Sequence, residues 1–432
     1  MNQADLAVLN CNQLLTCQGP IPKRKKDLQD IGLIENGCIA SFEGKIVFVG
    51  DEEDFNREVQ MVDDGIAIDG KGLTGLPGFV DPHTHLPFAG SRAEEFNLRL
   101  KGYTYQQLAQ QGLGIQTTVN ATRQASEEEL LSLSLSRLDS MLIHGTTTVE
   151  AKSGYGLNKP DELKQLRVLK KADAIHPVDI VSTFMGAHEV PKEYLGKKAD
   201  YMDLLMQDIL PEVKKESLAE FFDIFCEEGV YSVEETRDLI RKAKQEGFKI
   251  KIHADEFSPL GGAQLAAEEG AISADHLIAI SEEGIEKMAN SPTAAILLPG
   301  VSFFLMQPKK APARRMIEQG AIVTLATDFN PGSSMTESML FILQLAVFTL
   351  NMGIEEAINA ATANASYALE KQEQVGSLEI GKKMDIVLWD VPTYPYLVYH
   401  LGVNPVKHVI KNGKIVVEDK RILTTQSHDP SG

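Results

Sequence analysis

The chain carries Pro77-Gly78-Phe79-Val80-Asp81-Pro82-His83-Thr84-His85-Leu86, and this stretch decides how the rest is interpreted. An apolar run ends abruptly there at two histidines that are two residues apart. In an extended strand, residues i and i+2 point to the same side, so the imidazoles of His83 and His85 can converge on one point. Two neutral imidazoles form half of a divalent metal site. The alternative is a pair of polar residues in a turn, because His-x-His is a common tripeptide.

Length and composition limit the classes of protein to consider. The chain has 432 residues, of which 43% are hydrophobic and 24% charged, which is typical of a globular protein with two or three domains or one large barrel. Its formal net charge of −19 argues against binding to nucleic acid or anionic membranes, since both need a basic surface. An anionic substrate would therefore need local positive charge, from a metal ion or a placed arginine.

The cysteines and the apolar segments indicate a cytoplasmic protein. Four cysteines are spread over the chain, at Cys11, Cys17, Cys38 and Cys226. They show no CxxC spacing, so we expect free buried thiols and neither a disulfide framework nor a zinc knuckle. No basic-then-apolar leader opens the sequence. The longest apolar stretch, residues 339–350, is too short to span a bilayer and is predicted to form a buried helix.

The two ends of the sequence are rich in strand patterns. Residues 1–75 alternate short β-like runs with turns, and Glu43-Gly44 is predicted to form a hairpin turn. Residues 373–432 return to this pattern, with Asn412-Gly413 between two apolar runs as a strong hairpin signal. Neither part is long enough to make a core alone. We therefore predict that both join into one small β-sandwich domain.

Residues 76–372 alternate strand-like runs with helical patterns. The eight apolar runs are residues 76–80, 146–149, 179–184, 222–225, 248–252, 272–274, 294–298 and 322–326. One helical pattern, residues 232–245, opens with the capping box Ser232-x-x-Glu235. This alternation predicts an α/β protein with a closed, TIM-like (β/α)₈ barrel. A doubly wound open sheet is the competing fold, but polar residues follow the strand ends all around and do not gather at one crossover.

Residues that follow barrel strands share one face, where active sites are built. Three histidines and an aspartate fall at such points and form the predicted metal ligands, His83, His85, His253 and Asp328. This set suits zinc or iron better than magnesium or calcium, which prefer oxygen ligands. An ion with an open position lowers the pKa of bound water to about 7 and supplies hydroxide. For Asp328 the alternative is a helix N-cap or turn aspartate before Pro331-Gly332.

Glu256 and His276 complete the predicted catalytic set together with Asp328. Glu256 lies three residues beyond a presumed ligand, where it can reach the bound water without binding the ion and can shuttle a proton. The alternative is a surface glutamate. His276 could bind the metal or orient the attacked carbonyl, and we favour the second role because four ligands already fill the site. A histidine satisfied within the core is the alternative.

These residues resemble the metal-dependent amidohydrolase superfamily, whose members carry a small second β-domain. Within it the sequence is similar to the imidazolonepropionases. The similar segments are Phe88-Ala89-Gly90-Ser91-Arg92-Ala93-Glu94-Glu95-Phe96, Gly102-Tyr103-Thr104-Tyr105, Lys152-Ser153-Gly154-Tyr155-Gly156, Gly186-Ala187-His188-Glu189 and Thr327-Asp328-Phe329-Asn330-Pro331-Gly332-Ser333. One departure is Gly112-Leu113-Gly114-Ile115, where that family usually has a further glycine.

The resemblance implies hydrolysis of 4-imidazolone-5-propanoate to N-formimidoyl-L-glutamate, a step of histidine degradation. Metal-bound hydroxide would attack the ring carbonyl, Glu256 would move the proton to the departing nitrogen, and His276 would assist. Arg92 would anchor the substrate carboxylate through its guanidinium fork, unless it is an ordinary surface arginine. By family position, further substrate or product contacts would come from Tyr155, His188, Glu256, Asn330, Gly332 and Ser333.

Other functions are compatible with the same metal ligands. Two-metal relatives generally carry a bridging lysine after strand four, and Phe225-Cys226-Glu227 offers none, so we expect one Zn²⁺ or Fe²⁺/Fe³⁺ ion. A mononuclear nucleobase or aminoimidazole deaminase would use the same ligands and the same Glu256. A non-catalytic scaffold that kept the barrel is the third alternative. The expected partner is a small-molecule substrate; a homodimer is compatible with a barrel of this size, although no sequence feature requires one.

Overall fold

The computed structural model describes residues 1–103, 107 and 113–423. Of the segments compared with the family pattern above, Thr104, Tyr105 and Gly112 lie outside the described residues. The strands, numbered in chain order, are β1 (Asn2–Leu15), β2 (Leu33–Phe42), β3 (Lys45–Gly50), β4 (Val59–Asp69), β5 (Thr74–Pro77), β6 (Phe79–Asp81), β7 (Thr146–Lys152), β8 (Asp179–Ala187), β9 (Phe221–Cys226), β10 (Lys249–Ala254), β11 (Ser273–His276), β12 (Ala294–Leu297), β13 (Ile322–Leu325), β14 (Ile386–Trp389), β15 (Val406–Lys411), β16 (Lys414–Glu418) and β17 (Arg421–Ile422).

Helices lie between the strands of the central segment and continue after its last strand. The described α-helices are α1 (Glu52–Glu58), α2 (Ala93–Leu100), α3 (Ile115–Gln124), α4 (Glu127–Ile143), α5 (Lys159–Ile175), α6 (Lys198–Asp203), α7 (Leu210–Lys215), α8 (Val233–Gln245), α9 (Gly262–Glu268), α10 (Glu282–Ala289), α11 (Pro299–Phe304), α12 (Ala313–Gln319), α13 (Met339–Leu350), α14 (Ile354–Ala361), α15 (Ala363–Tyr367) and α16 (Tyr396–Tyr399). A π-helical turn, Leu204–Ile209, joins α6 to α7.

Eight parallel strands, β6 to β13, pair in chain order. The two outermost strands of this sheet approach each other through the residues that follow them. The backbone N–H of Asp328 donates to the carbonyl oxygen of His83 at 3.0 Å, and the N–H of His85 donates to Phe329 at 3.0 Å. These bonds nearly close the sheet, with helices between consecutive strands. The predicted (β/α)₈ barrel is therefore confirmed, and the open doubly wound sheet is not formed.

The strands before and after the barrel form a second, mixed sheet. Its order is β17-β16-β15-β14-β5-β1-β2-β3, and β4 pairs with β1. The two parts meet where Leu76 of β5 lies opposite Val387 of β14. The expected union of the β-rich ends is confirmed as one hydrogen-bonded sheet. Ionic contacts tie it to the barrel, because Lys411 Nζ lies 2.7 Å from both Asp179 of β8 and Asp385.

The first barrel strand begins later than the sequence predicted. The apolar run 76–80 is split at Gly78, so that Pro77 ends a strand of the mixed sheet and Phe79 begins the barrel. The chain changes sheets at this glycine, whose backbone lies against Thr147: a methyl group there would be 2.3 Å from the Thr147 hydroxyl oxygen. One continuous hydrophobic run can therefore serve two sheets, and the prediction of a single strand was wrong.

Several predictions made from local sequence signals are confirmed by the structure. Ser232 and Glu235 form the predicted capping box at the start of α8, and residues 339–350 form the predicted buried helix α13. Both residues of Glu43-Gly44 and of Asn412-Gly413 have positive φ angles, as tight hairpin turns require. The four cysteines are buried and unpaired. Among the described residues, no helix combines the length and the apolar character needed to cross a bilayer.

Candidate active site

The four predicted metal ligands lie together at the mouth of the barrel. His83 and His85 follow β6, His253 lies in β10, and Asp328 follows β13. Asp328 Oδ1 is 3.3 Å from His83 Nε2 and 3.4 Å from His85 Nε2. The Nε2 atoms of His85 and His253 are 3.4 Å apart. All four side chains are buried. Residues far apart in the sequence thus converge on one point.

The chemistry of this group fits a metal ion. The Nδ1–H of His83 donates to Asp275 Oδ2 at 2.6 Å, which leaves Nε2 as a buried nitrogen without a hydrogen-bond partner. Burial lowers the pKa of His85 to about 3 and that of His253 to about 4, so both imidazoles are neutral bases at neutral pH. Three such nitrogens and a carboxylate oxygen form a ligand set that zinc and iron accept.

The backbone at two site residues has an uncommon conformation. Asp328 has a φ of 49° and His276 a φ of 77°, although neither is glycine. Such angles cost free energy for residues with a side chain and persist where the surroundings enforce them. At Asp328 the constraint is the seam bond to His83, which turns its carboxylate toward the histidines.

Glu256 and His276 lie next to the ligand group. Glu256 Oε2 is 3.6 Å from His276 Nδ1, and both residues are buried. Burial, together with the charges of Asp328 and Glu227, raises the pKa of Glu256 well above its ordinary value. Neither ring nitrogen of His276 has a hydrogen-bond partner. A ligand atom of His276 also lies within 4.8 Å of those of His83 and Asp328, so the geometry is compatible with either role expected for it.

A cavity of about 570 Å³ opens above the ligand group. Every residue predicted to contact substrate lines it, namely Arg92, Tyr155, His188, Glu256, Asn330, Gly332 and Ser333. The His188 ring stacks on that of His85 with the ring centres 4.9 Å apart. Tyr155 packs edge-on against His188 at 5.4 Å. A concave site of this size suits a small molecule.

Comparisons with known proteins agree with this arrangement. The model of the family described as "Amidohydrolase family" matches residues 74–416. The imidazolonepropionase of Symbiobacterium thermophilum is 49% identical and the alignment covers 98% of this chain and 99% of that protein. The imidazolonepropionase of Alkaliphilus oremlandii is 48% identical, with 97% and 99% covered. This chain belongs to the imidazolonepropionase family of amidohydrolases.

Among solved structures, a zinc-bound adenosine deaminase from Xanthomonas campestris superposes on this amidohydrolase with a TM-score of 0.71. The two sequences are 16% identical, and the alignment covers 98% of this chain and 95% of the other. At that identity the likeness shows the fold alone. It agrees with the barrel and mixed sheet described above.

Beneath the ligand group, this amidohydrolase has a buried charge network that the sequence analysis missed. Lys152 Nζ lies 2.5 Å from Glu150 Oε1, 2.8 Å from Asp223 Oδ2 and 4.0 Å from Asp275 Oδ2. Asp223 in turn contacts His253 Nδ1 at 3.1 Å. The two aspartates orient the imidazoles of His83 and His253, as carboxylates commonly do behind metal ligands. One sequence signal could have revealed this network. Charged residues stand inside otherwise apolar strands, as Asp223 does in Phe221–Cys226.

The loop that carries Asn330 is held by its own side chain. Asn330 Oδ1 accepts hydrogen bonds from the backbone N–H groups of Gly332 at 2.8 Å and Ser333 at 2.9 Å. The Asn330 amide donates to the carbonyl oxygen of Asp328 at 2.7 Å. Gly332 and Ser333, two of the residues expected to contact a ligand, therefore direct their backbone N–H groups into the loop itself. These bonds and that of the Asn330 amide hold the loop next to Asp328.

Arg92 has a partner that the sequence analysis did not anticipate. Its Nε donates to Glu95 Oε2 at 2.9 Å and its Nη2 to Glu95 Oε1 at 2.6 Å. Glu95 also accepts from the backbone N–H of Gly114 at 2.9 Å. One edge of the guanidinium, which was expected to face the substrate, is thus paired with a carboxylate. The three-residue spacing at the start of α2 allows this pair, but many surface pairs share that spacing.

Proposed function

We propose that this protein hydrolyses 4-imidazolone-5-propanoate to N-formimidoyl-L-glutamate. The single observation that carries the proposal is a cavity with a buried three-histidine, one-aspartate group at its base and Arg92 in its wall. These features match the two ends of the substrate, an electrophilic ring carbonyl and a carboxylate. The near full-length relatives named imidazolonepropionase support the same reaction.

The proposed cofactor is one divalent ion, zinc or iron, held by His83, His85, His253 and Asp328. Bound there, such an ion supplies a water-derived nucleophile at neutral pH and polarises the carbonyl. The count of one is supported by Lys152. Its ammonium lies 2.8 Å from Asp223 in the neighbouring acidic group, so that group is already neutralised by a side chain.

Hydrolysis adds one water molecule across the ring amide. The carbonyl carbon gains the oxygen, its bond to the ring nitrogen breaks, and that nitrogen takes up a proton. Glu256 is placed to accept a proton from the water and to deliver it to the departing nitrogen. Burial raises the pKa of Glu256 above its ordinary value, which makes its carboxylate a stronger base for the first of these transfers. His276 faces the same space and would hold the carbonyl oxygen.

The remaining cavity residues bind the substrate in this proposal. Arg92 donates to the propanoate carboxylate through the edge of its guanidinium that Glu95 leaves open, in a chain whose net charge of −19 would otherwise repel an anion. Tyr155 and His188 form an aromatic wall beside His85, against which a flat imidazolone ring can lie. His188 Nδ1 donates to the carbonyl oxygen of Gly154 at 3.0 Å, which leaves Nε2 as its unprotonated nitrogen.

The test is a direct assay on the purified, metal-loaded protein. Freshly made imidazolone propanoate should lose its ultraviolet absorbance, and mass spectrometry should detect N-formimidoyl-glutamate with the mass of one added water. Arg92→Ala should raise KM for this substrate at least about tenfold, as expected for loss of a charge-assisted bond. Release of ammonia from adenine or an aminoimidazole, without turnover of the imidazolone, would instead establish a deaminase.

A further inference from the structure

Two guanidinium groups border the cavity away from the metal ligands. Arg92 precedes α2 and Arg99 lies in its last turn. They are the only lysine or arginine side chains among the described residues that line the cavity. Six carboxylates also line it, from Glu95, Glu189, Glu227, Glu228, Glu256 and Asp328. An anionic substrate that enters this cavity therefore meets more negative than positive side chains, and the placement of each cation matters.

The charge of Arg92 is largely offset within the protein. Glu95 is 4% exposed and accepts two hydrogen bonds from the Arg92 guanidinium, at 2.9 and 2.6 Å. In so buried a position the two charges act on each other with little screening by water. A substrate carboxylate that approaches Arg92 also approaches Glu95. Arg92 alone thus provides a directional donor at Nη1 but little net positive charge.

Arg99 has no such counter-charge. Among the described residues, Arg99 forms no ion pair with a carboxylate within 4.0 Å. Glu95, which is paired with Arg92, acts on Arg99 only through space. Its Nη2 donates to the carbonyl oxygen of Gly332 at 3.2 Å, and its buried Nε has no hydrogen-bond partner. The guanidinium carbon lies 5.7 Å from the centre of the Phe96 ring and 5.5 Å from that of Phe304. These aromatic contacts hold the group without neutralising it.

Gly332 brings the two arginines to the same end of the cavity. Its carbonyl oxygen accepts from Arg99, and a methyl group on its α-carbon would lie 2.1 Å from Arg92 Nη1. Both guanidiniums therefore contact one residue of the loop that also carries Asp328. Two arginines and one glutamate give this end of the cavity a net charge of +1, which matches the single negative charge of a substrate carboxylate.

We propose that Arg99 is a second anion-binding residue, which together with Arg92 selects the propanoate carboxylate of the substrate. Arg92 contributes the oriented donor and Arg99 a positive charge without an ion-pair partner of its own, while Glu95 fixes the orientation of Arg92. This inference rests on the proposed function, since it names how the same cavity recognises one end of that substrate.

The experiment compares a charged and an uncharged substrate. Steady-state kinetics are measured on imidazolone propanoate and on its propanamide for wild type, Arg99→Met, Arg99→Lys and Lys101→Met. Arg99→Met should lower kcat/KM for the propanoate about 10- to 100-fold, mainly through KM, because a charge-assisted interaction is lost. The propanamide should change less than about threefold. Arg99→Lys should recover part of the loss, and the exposed Lys101 serves as the matched control that removes one cation of the same helix end.

A double substitution tests whether Glu95 offsets the positive charge of Arg92. In a Glu95→Gln background, Arg92 keeps its full charge, so Arg99→Met should cost less than it does in wild type. Equal losses on propanoate and propanamide would show that Arg99 only supports the fold, and would overturn the proposal. So would an unchanged KM for the propanoate in a variant with wild-type melting temperature.

Binding separates this proposal from the proposed function. Calorimetry with 3-(imidazol-4-yl)propanoate, which has no ring carbonyl to hydrolyse, should show Arg99-dependent affinity that the corresponding amide lacks. If the wild-type protein binds this anion through Arg99 but does not turn over imidazolone propanoate, the reaction is wrong and the two-arginine site stands. If it hydrolyses imidazolone propanoate with no dependence on Arg99, the reaction stands and the site is wrong.

Discussion

The backbone N–H of Asp328 donates to the carbonyl oxygen of His83 at 3.0 Å, across the seam between the last and the first barrel strands. The same two residues face each other through their side chains, with Nε2 and Oδ1 3.3 Å apart. The bond that brings the barrel ends together therefore also sets the distance between two metal ligands. Site geometry and fold closure depend on the same residues, which explains why an aspartate tolerates a positive φ there.

Metal removal should abolish activity and lower stability. Dialysis against dipicolinate should give an inactive protein with a reduced melting temperature, because an ion that binds only the folded state adds to its stability. Elemental analysis of the native protein should find one zinc or iron per chain. His253→Ala should lose most of the bound metal, whereas His408→Ala, a histidine of β15 in the mixed sheet, should keep it. Two ions per chain would contradict the single-site proposal.

Asp275→Asn should weaken metal binding without removing a ligand. The carboxylate of Asp275 fixes the tautomer of His83 through a 2.6 Å hydrogen bond, and loss of such a partner typically costs 10- to 100-fold in affinity. Competition with a chromophoric chelator measures this directly. Asp208→Asn, at an exposed position of the π-helical turn, is the control. An unchanged zinc affinity would show that the imidazole is oriented by other contacts.

Glu256→Gln should produce a folded, metal-loaded and nearly inactive protein. The amide keeps the shape of the side chain but cannot carry the proton, and general acid–base groups contribute about 100- to 10,000-fold to rates. The loss should appear in kcat, with metal content equal to wild type. The exposed Glu234→Gln on α8 should behave as wild type. Activity within a few-fold of wild type would rule out the shuttle role.

Gly332→Ala should impair substrate binding more than folding. The added methyl group would lie 2.1 Å from Arg92 Nη1, so the guanidinium must move. Glu95 restrains that movement through two hydrogen bonds, and we expect KM for imidazolone propanoate to rise about tenfold, the cost of roughly one distorted charge-assisted bond. The melting temperature should change by only a few degrees. A normal KM would mean that Arg92 repositions without loss of function.

Lys411→Met should destabilise the junction of sheet and barrel. It would leave Asp385, which is buried, without its ammonium partner at 2.7 Å, and breaking a buried pair costs about 3–5 kcal/mol. Urea unfolding monitored by circular dichroism at pH 7 measures this free energy. Lys407→Met in the same strand is the control, since its partner Asp419 is 63% exposed and such pairs contribute under about 1 kcal/mol.

The same junction should respond to pH through Asp179. Burial alone would raise the pKa of Asp179, but the ammonium groups of Lys411 and Lys383 outweigh it and lower the pKa below its ordinary value. A depressed carboxyl pKa adds stability above the pKa of the unfolded chain, about 3.9, and this stability is lost as the pH falls through the folded value. Asp179→Asn should therefore lower the unfolding free energy at pH 7, and the difference from wild type should shrink below about pH 4. A difference independent of pH would refute the assignment.

The sequence predicted the barrel and its ligands because the relevant signals are local. His83 and His85 end an apolar run, and the capping box of Ser232 and Glu235 opens a helix whatever packs on it. The limits of prediction show at Gly78, where one apolar run crosses from the mixed sheet into the barrel. Nothing in the run itself marks this change, since both sheets bury the same kinds of side chain.

Ion pairs between side chains that are distant in sequence, or that compete for one partner, could not be predicted. Lys152, Asp223 and Asp275 meet only because three parallel strands place them on one side of the barrel interior. The family resemblance implied a substrate role for Arg92, but it could not show that Glu95 already pairs with it. Such contacts depend on side-chain rotamers and on the loop after β13, which tertiary packing decides.

The pairing of Leu76 with Val387 has a consequence for synthesis of the protein on the ribosome. The early strands emerge long before β14, which completes their sheet, and the whole barrel must be translated in between. Until then β5 has an unpaired edge, which invites wrong association between nascent chains. Folding of this protein should therefore be slow, because contacts between segments distant in sequence form slowly. Chaperones that cover the unpaired edge should raise its yield.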